Sequence, residues 1–466
     1  MPDYGKAAFD AASKNDDKIN KLQKKGKNLR VDVVEDYGAK GNNIDDDFIV
    51  IQQAITDVYN LGGGVVFFPK PISKYRYSTG LLIPPYVKLD GIGEGPGESV
   101  LNFVGSGWAM ATSGIHQRNK ISNIRLETNG NASGLRIGDK KVNLANGVIP
   151  INFKLENFTI ANIASGFTAL ELNNVSHITM NQVRTGFGSI TGGNALKIYA
   201  DGDSVDQYGT AINGINSGVF SAVDCIFGRV DSTDVALEID GTANLDSYMF
   251  IGTYFGGQRI QLGKNATLRS VNFHGCHGEF RLLPNSSLTS VNAFEMYRVL
   301  GGGWYGGSIT CFGAANSTAF WFQDNVRKFN IKGVEANGVM GAIFKQTAGT
   351  VEGCELQEAN LTGGSTATQF VGVSEQNFKL LARRFQTENI NVRYIYSLSG
   401  NNKMDWGSQS PTLDTPTIGW TRGDYRMNTF PSELGTAGSK YVLNGWKCIA
   451  GGTPGTWVED RGLTGN

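Results

Sequence analysis

Beyond residue 80, apolar residues come in short repeating bursts and not in long helical stripes. The pairs Leu170/Leu172, Leu196/Ile198, Leu237/Ile239, Ile260/Leu262, Phe280/Leu282, Phe320/Phe322 and Ile343/Phe344 recur at steps of about 20 to 26 residues, or double that where one repeat is obscure. Apolar residues two apart with polar neighbours mark a strand with one buried face. A second series follows by about ten residues: SYMFIGTYF, then LRSVNFHGCHG, then LTSVNAFEM, with Val271 and Val291 20 apart, as are Asn272 and Asn292. Two or three short strands per repeat stack into coils around one dry interior. The expected fold class is all-β: a right-handed parallel β-helix over residues 81–370.

The two ends read differently. Residues 31–80 fit a capping strand-helix-strand unit: Val31, Val33 and Val34 begin a strand, and Gly38 and Gly41 turn the chain. Asp45 or Asp46 can accept bonds from the first free N–H groups of a helix, on which Phe48, Ile51, Ile55 and Val58 share one face. Gly62, Gly63 and Gly64 end it, and residues 65–68 form a strand. A helix over 46–60 would cover the open apolar end of the first coil. Residues 1–30, rich in Lys and helix formers, read as a helical arm or neck. The repeats fade after about residue 360. Residues 371–466 read as a β-rich end whose aromatics alternate with Gly and Pro turns, a small C-terminal β module.

Composition narrows the function. Of 466 residues 40% are hydrophobic, enough for a large core, and 62 glycines against 12 prolines fit many tight turns. The 42 basic residues balance 42 acidic ones, so no global field attracts nucleic acid or an acidic membrane surface. No segment is long and apolar enough to span a membrane. Neither nucleic acid nor membrane insertion is expected. The first 30 residues hold no apolar run, so no signal peptide is expected. Five cysteines in so long a chain make no disulfide framework and read as buried small hydrophobes.

One segment resembles a known family. Residues 35–55 run Asp36, Tyr37, Gly38, Ala39, Lys40, Gly41, Asn42, Asn43, Ile44, Asp45, Asp46, Asp47, then Ile51, Gln52, Gln53, Ala54, Ile55. This resembles the opening of the pectate-lyase-superfamily β-helix proteins, DYGAxGDGxTDDTxAIQxAI, with Asn42 and Asn43 in place of Asp-Gly and Asp47 in place of Thr. The GGGVVFFPKPISKYRYS that follows also looks like the family's continuation, and the closing GWKCIAGGTPGTW is similar to the ends of many bacteriophage tail spike and tail fibre depolymerases. The resemblance implies a homotrimeric protein of the virion tail, outside the cell, attached through its N-terminal arm. It would bind, and usually cleave, a bacterial capsular or exopolysaccharide. Family members include hydrolases, lyases, epimerases and non-catalytic proteins, and the opening motif is a folding signature, so no catalytic residue is carried over.

Candidate chemistry comes from the strands. Aligning Ile239, Leu262 and Leu282 as inward anchors puts Glu238 and Asp240, Arg259 and Gln261, and Glu279 and Arg281 on one outer face. Lys197 and Tyr199 lie further up that face, and Trp321 and Gln323 further down. Alternate strands are about 9 to 10 Å apart. Glu238 or Asp240 with Glu279 would then have the spacing of an inverting glycosidase pair, with Arg259 holding a sugar carboxylate or hydroxyl. Glu295 is a further candidate acid. The second strand series offers His274, His277, Glu295, Tyr297 and Arg298, with Tyr248 and Tyr254 before it. For elimination from a uronate, Arg281 or Arg298 could neutralise the carboxylate while Tyr254, His274 or His277 removes the proton. Trp304, Tyr305 and Trp321 are candidates for stacking on sugar faces. Against each stands a plain structural role: cross-strand ion pairs for the charges, corner packing for the histidines.

No cofactor or metal is expected. His274, Cys276 and His277 lack a second cluster that would complete a zinc site, and Asp201, Asp203 and Asp206 lack the spacing of a calcium loop. The function expected is a polysaccharide depolymerase acting by glycosidic hydrolysis. The alternatives are a polysaccharide lyase, a non-catalytic receptor-binding tail protein and, last, a uronate epimerase.

Overall fold

The computed structural model describes residues 29–465 apart from 114–117, 141–150, 189–191, 201–219, 232, 243–244, 283–289, 313–316, 339–341, 358–359, 364–367, 372–377, 382–395, 399–401, 408–419 and 429. The arm at 1–28 and the acidic loop with Asp201, Asp203 and Asp206 lie outside the described residues.

Apart from one helix, the named elements are strands. The chain is a parallel β-helix, a solenoid of stacked coils. A 21-stranded sheet and an 11-stranded sheet, called here the long and the second sheet, run along it. Both faces of the coil turn inward Leu, Ile, Val and Phe, which form one continuous core from Leu29 to Cys354. Parallel pairing begins with Arg30–Asp32 against Gly64–Phe67 and continues to Cys354–Gln357 against Phe378–Leu381. Aromatic columns run through the core. Phe250 stacks on Phe273 at 5.1 Å and Phe273 on Trp304 at 5.0 Å, while Phe294, Phe320 and Phe344 stack at 5.4 Å per step.

Helix α1 (Phe48–Asn60), the one helix among the described residues, buries Ile51, Ala54, Ile55 and Val58. The Asp46 carboxylate accepts the Phe48 N–H at 2.9 Å. Asp47 works elsewhere: it accepts the N–H groups of Lys40 and Gly41 and pins the preceding loop. Tyr37 donates its hydroxyl to Asp57 at 2.9 Å, fastening that loop to the helix. The C-terminal strands differ in kind. Tyr425–Asn428, Lys440–Ala450 and Thr456–Gly465 pair antiparallel, with Trp420 edge-on to Trp457 at 4.9 Å.

The long sheet bends once per coil, at a residue held in the left-handed region. Asn123, Asn157, Gln182, Asp224, Gly252, Gly275, Gly306 and Gly333 occupy equivalent corners, with φ between 47° and 71°. Gly, Asn and Asp bear this conformation most easily, and they hold seven of the eight positions. Cys225 and Cys276 follow corners directly, point inward and are buried. All five cysteines are free. Burial pushes the Cys276 thiol up to about 11 and that of Cys225 up to about 12.

Candidate active site

Register places the outward residues of the second sheet in one row. Lys197, Glu238, Gln261, Glu295, Trp321 and Lys345 lie side by side on successive strands. The expected partner of Glu238 and Asp240 is not among them. Glu279 belongs to His277–Arg281, which pairs with Tyr254–Gly257 and Ser308–Phe312 in the long sheet. After Ile260–Leu262 the next strand of the second sheet is Asn292–Met296, so Glu295 takes the place expected for Glu279. The segment LTSVNAFEM therefore does not continue the series of SYMFIGTYF and LRSVNFHGCHG. That series goes on to Gly302–Tyr305.

The charges of this row are tied to one another. Lys197 bonds Glu238 at 2.9 Å, Gln261 donates to Glu295 at 3.1 Å, and Arg259 lies 3.5 Å from the same carboxylate. Glu295 is only 3% exposed. Tyr297 packs beside Gln261, Glu295 and Arg259, and its phenol is raised by burial and by the Glu295 charge. Asp240 is buried and caps a turn, accepting from the Asn265 backbone and side chain at 2.7 Å and from the Ala266 N–H at 3.1 Å. Trp321 stays half-buried at the lower end, with the Lys345 ammonium 4.9 Å from its ring centroid.

The long sheet carries a different arrangement. Tyr254, His277 and Ser308 stand in one outward row, with Glu279 and Thr310 in the next. Tyr254 donates its hydroxyl to one oxygen of Glu279 at 2.9 Å, and His277 Nε2 meets the other at 3.1 Å. His277 Nδ1 meets the Ser308 hydroxyl. The Tyr254 and His277 rings lie 5.6 Å apart. The side chain of His277 is 42% exposed and that of Glu279 30%, so the group faces solvent. Burial, then its bond to Glu279 and the charge there, hold the Tyr254 phenol above the ordinary tyrosine range. It stays protonated and can give a proton. Thr310 donates to Asn337 at 2.5 Å on the same face.

The corner positions this group. Gly275 and Gly306 bend their strands just before it, and Gly307 follows with φ 76°. A Cβ on Gly307 would stand 1.8 Å from the Cys276 carbonyl oxygen, so only glycine brings Ser308 this close to the preceding coil. Across the corner, His274 stacks on Tyr305 at 4.9 Å. Arg281 lies further along the strand of His277, over the ring of Phe312 at 5.1 Å.

Three other expectations are corrected. Trp304 is fully buried between Phe273 and Phe294 and stacks on no sugar. Its strand alternates, so the outward aromatic is its neighbour Tyr305. Arg298 bonds Asp324 and the Asn265 carbonyl at a corner of the second sheet, away from Tyr254. Tyr248 is an inward core residue. Ser308 was not among the candidates. A serine after two glycines reads as a turn, and only its registration opposite His277 reveals it. Among the described residues no group of three or more His, Cys, Asp or Glu could hold a metal ion.

No protein-family model matches the chain. Over 89 residues, 18% of the chain, it is 38% identical to mannuronan C5-epimerase AlgE2 of Azotobacter vinelandii and to alginate lyase 7 of the same organism. That stretch is 8% of the first enzyme and 10% of the second, so the chain spans a small part of these curated relatives. Among solved structures it is similar to the A-module of A. vinelandii mannuronan C-5 epimerase AlgE6, with TM-score 0.45, 13% identity, and coverage of 76% of this chain and 100% of that one. It is also similar to ORF18 of Geobacillus virus E2, with TM-score 0.47, 12% identity, and coverage of 96% and 79%. The tailspike protein of Acinetobacter phage vB_ApiP_P1 gives TM-score 0.46, 12% identity, and coverage of 93% and 79%.

Proposed function

We propose that this protein binds and cleaves a bacterial surface polysaccharide, and that the reaction is elimination from a uronate-containing polymer at the Tyr254–His277–Glu279 group. The observation that carries this reading is the bonded, half-open cluster on the long sheet. Elimination needs a base for the proton beside the uronate carboxylate and an acid for the leaving oxygen. His277 serves as the base once the Ser308 hydroxyl turns aside, and the protonated Tyr254 serves as the acid. Arg281, on the same face, pairs with the carboxylate of the sugar. The names of the curated relatives, a mannuronan epimerase and an alginate lyase, support a uronate polymer. In this reading the protein works as a homotrimer on a virion tail, joined to it by the N-terminal arm.

Hydrolysis is the second reading. Glu238 and Glu295 stand two strands apart with Gln261 between, about 9.6 Å at the backbone. Inverting glycosidases hold their carboxyl groups about 6.5–9.5 Å apart. The bonds that occupy both carboxylates and the burial of Glu295 weigh against it.

The test is incubation of the full chain with alginate and with a panel of capsular and exopolysaccharides, following reducing ends and the ultraviolet absorbance of unsaturated uronates. Elimination raises both signals. Reducing ends alone move the chemistry to Glu238 and Glu295, and binding without either signal overturns the enzymatic reading.

A further inference from the structure

The hydrogen bonds around His277 fix more than a base for elimination. Glu279 has two oxygens: one accepts the Tyr254 hydroxyl, and the other faces His277 Nε2 at 3.1 Å. An ionised carboxylate only accepts, so the proton of a neutral His277 sits on Nε2. Nδ1 then carries the lone pair, and its partner is the Ser308 hydroxyl. The direction of transfer follows: the serine proton points at the ring nitrogen that can take it, and the carboxylate holds the ring and stabilises its charge once it does. This is the acid-base-nucleophile relay of serine hydrolases, assembled from two neighbouring strands, with His277 and Glu279 on one and Ser308 on the other.

We propose that Ser308, His277 and Glu279 form a serine-esterase site that removes small acyl groups from sugar hydroxyls. The site shares His277 with the cleavage reaction above and stands whether or not that reaction occurs. In the first step the Ser308 hydroxyl gives its proton to His277 Nδ1 while Oγ bonds to the acyl carbon. The bond from that carbon to the sugar oxygen breaks, and His277 returns the proton to the departing sugar. In the second step water gives a proton to His277 and adds to the acyl-serine. Oγ leaves with the proton that His277 returns, and the free acid is released. No metal or co-reactant beyond water is needed. The acyl group is small because the neighbours of Ser308 are polar: His277 and Glu335 on the adjoining strands, and Thr310 two residues along the same face. The alcohol is a sugar because the site lies open on an outer sheet face beside the His274–Tyr305 stack, a platform a sugar ring can cover.

The experiment uses the full chain with two probes, p-nitrophenyl acetate and chemically O-acetylated alginate, and follows nitrophenol and acetate. A fluorophosphonate label with peptide mass spectrometry locates the nucleophile. Wild type releases acetate from the polymer and carries the label on Ser308. Ser308→Ala loses the label and at least about 100-fold of acetate release. His277→Gln loses both to the same extent, with its circular dichroism and melting temperature showing that it folds. Acetate release without unsaturated uronates leaves this inference standing and removes the lyase reading, and the reverse pattern removes this inference. Acetate release undiminished in Ser308→Ala, or a label on another residue, overturns it.

Discussion

On the second sheet, Glu238, Gln261 and Glu295 face outward and satisfy each other, Lys197 and Arg259, leaving little for a ligand. On the long sheet, Tyr254, His277, Glu279 and Ser308 also face outward and also bond one another, yet His277 stays 42% exposed at its side chain. Both sets arise from the same parallel ladder. The difference lies in the type of bond. Ion pairs between fixed charges close a surface, whereas hydrogen bonds that run through a histidine and end on hydroxyls leave protons that can move. Outward charge is therefore a poor guide to chemistry on a solenoid, and a mixed row of hydroxyl, imidazole and carboxylate is a better one.

Substitutions test this contrast. His277→Gln should reduce polymer cleavage by at least about 100-fold in kcat at unchanged melting temperature. Tyr254→Phe should lose about 10- to 100-fold, because the proton donor goes while the ring remains. In the wild type, since the Tyr254 phenol is held above its ordinary range, its ionisation should cause no fall in rate near the free-tyrosine value of about pH 10. A fall there that disappears in Tyr254→Phe would show that the phenol is not so held. Glu295→Ala should behave oppositely, with cleavage kept and unfolding easier by about 1–3 kcal/mol in thermal or urea melts. Lost activity in a folded Glu295→Ala would shift the chemistry to the second sheet. Smallest should be Trp321→Ala, weakening polymer affinity by about fivefold or less in a binding titration, against a larger loss for Tyr305→Ala.

The fold was legible in the sequence because strand alternation is local. Leu196/Ile198, Leu237/Ile239, Ile260/Leu262 and Phe320/Phe322 all line the second sheet as inward residues. The helix face was legible for the same reason. The site was less so, because alternation tells inside from outside and not one sheet from another. Phe280 and Leu282 have the same pattern as Phe294 and Met296, and the sequence offers no physical reason to choose the later pair. A coil's loops set that choice, and their lengths vary. The pattern therefore does not distinguish Glu279 of the long sheet from Glu295 of the second, and Ser308 becomes visible only through its pairing with His277.

The column of left-handed corners sets rules for how such a chain can change length. One residue inserted within a strand turns every later side chain of that strand to the opposite face, exchanging core for surface. A whole coil inserted between corners does not, since it brings its own bend and its own share of interior. The corners at Gly252, Gly275, Gly306 and Gly333 are already unequally spaced in sequence while remaining in register. Insertions and deletions should thus be tolerated in loops or as complete coils. Lineages built on this plan can lengthen or shorten along the axis, and diversify what they carry on the flank, without renegotiating the interior.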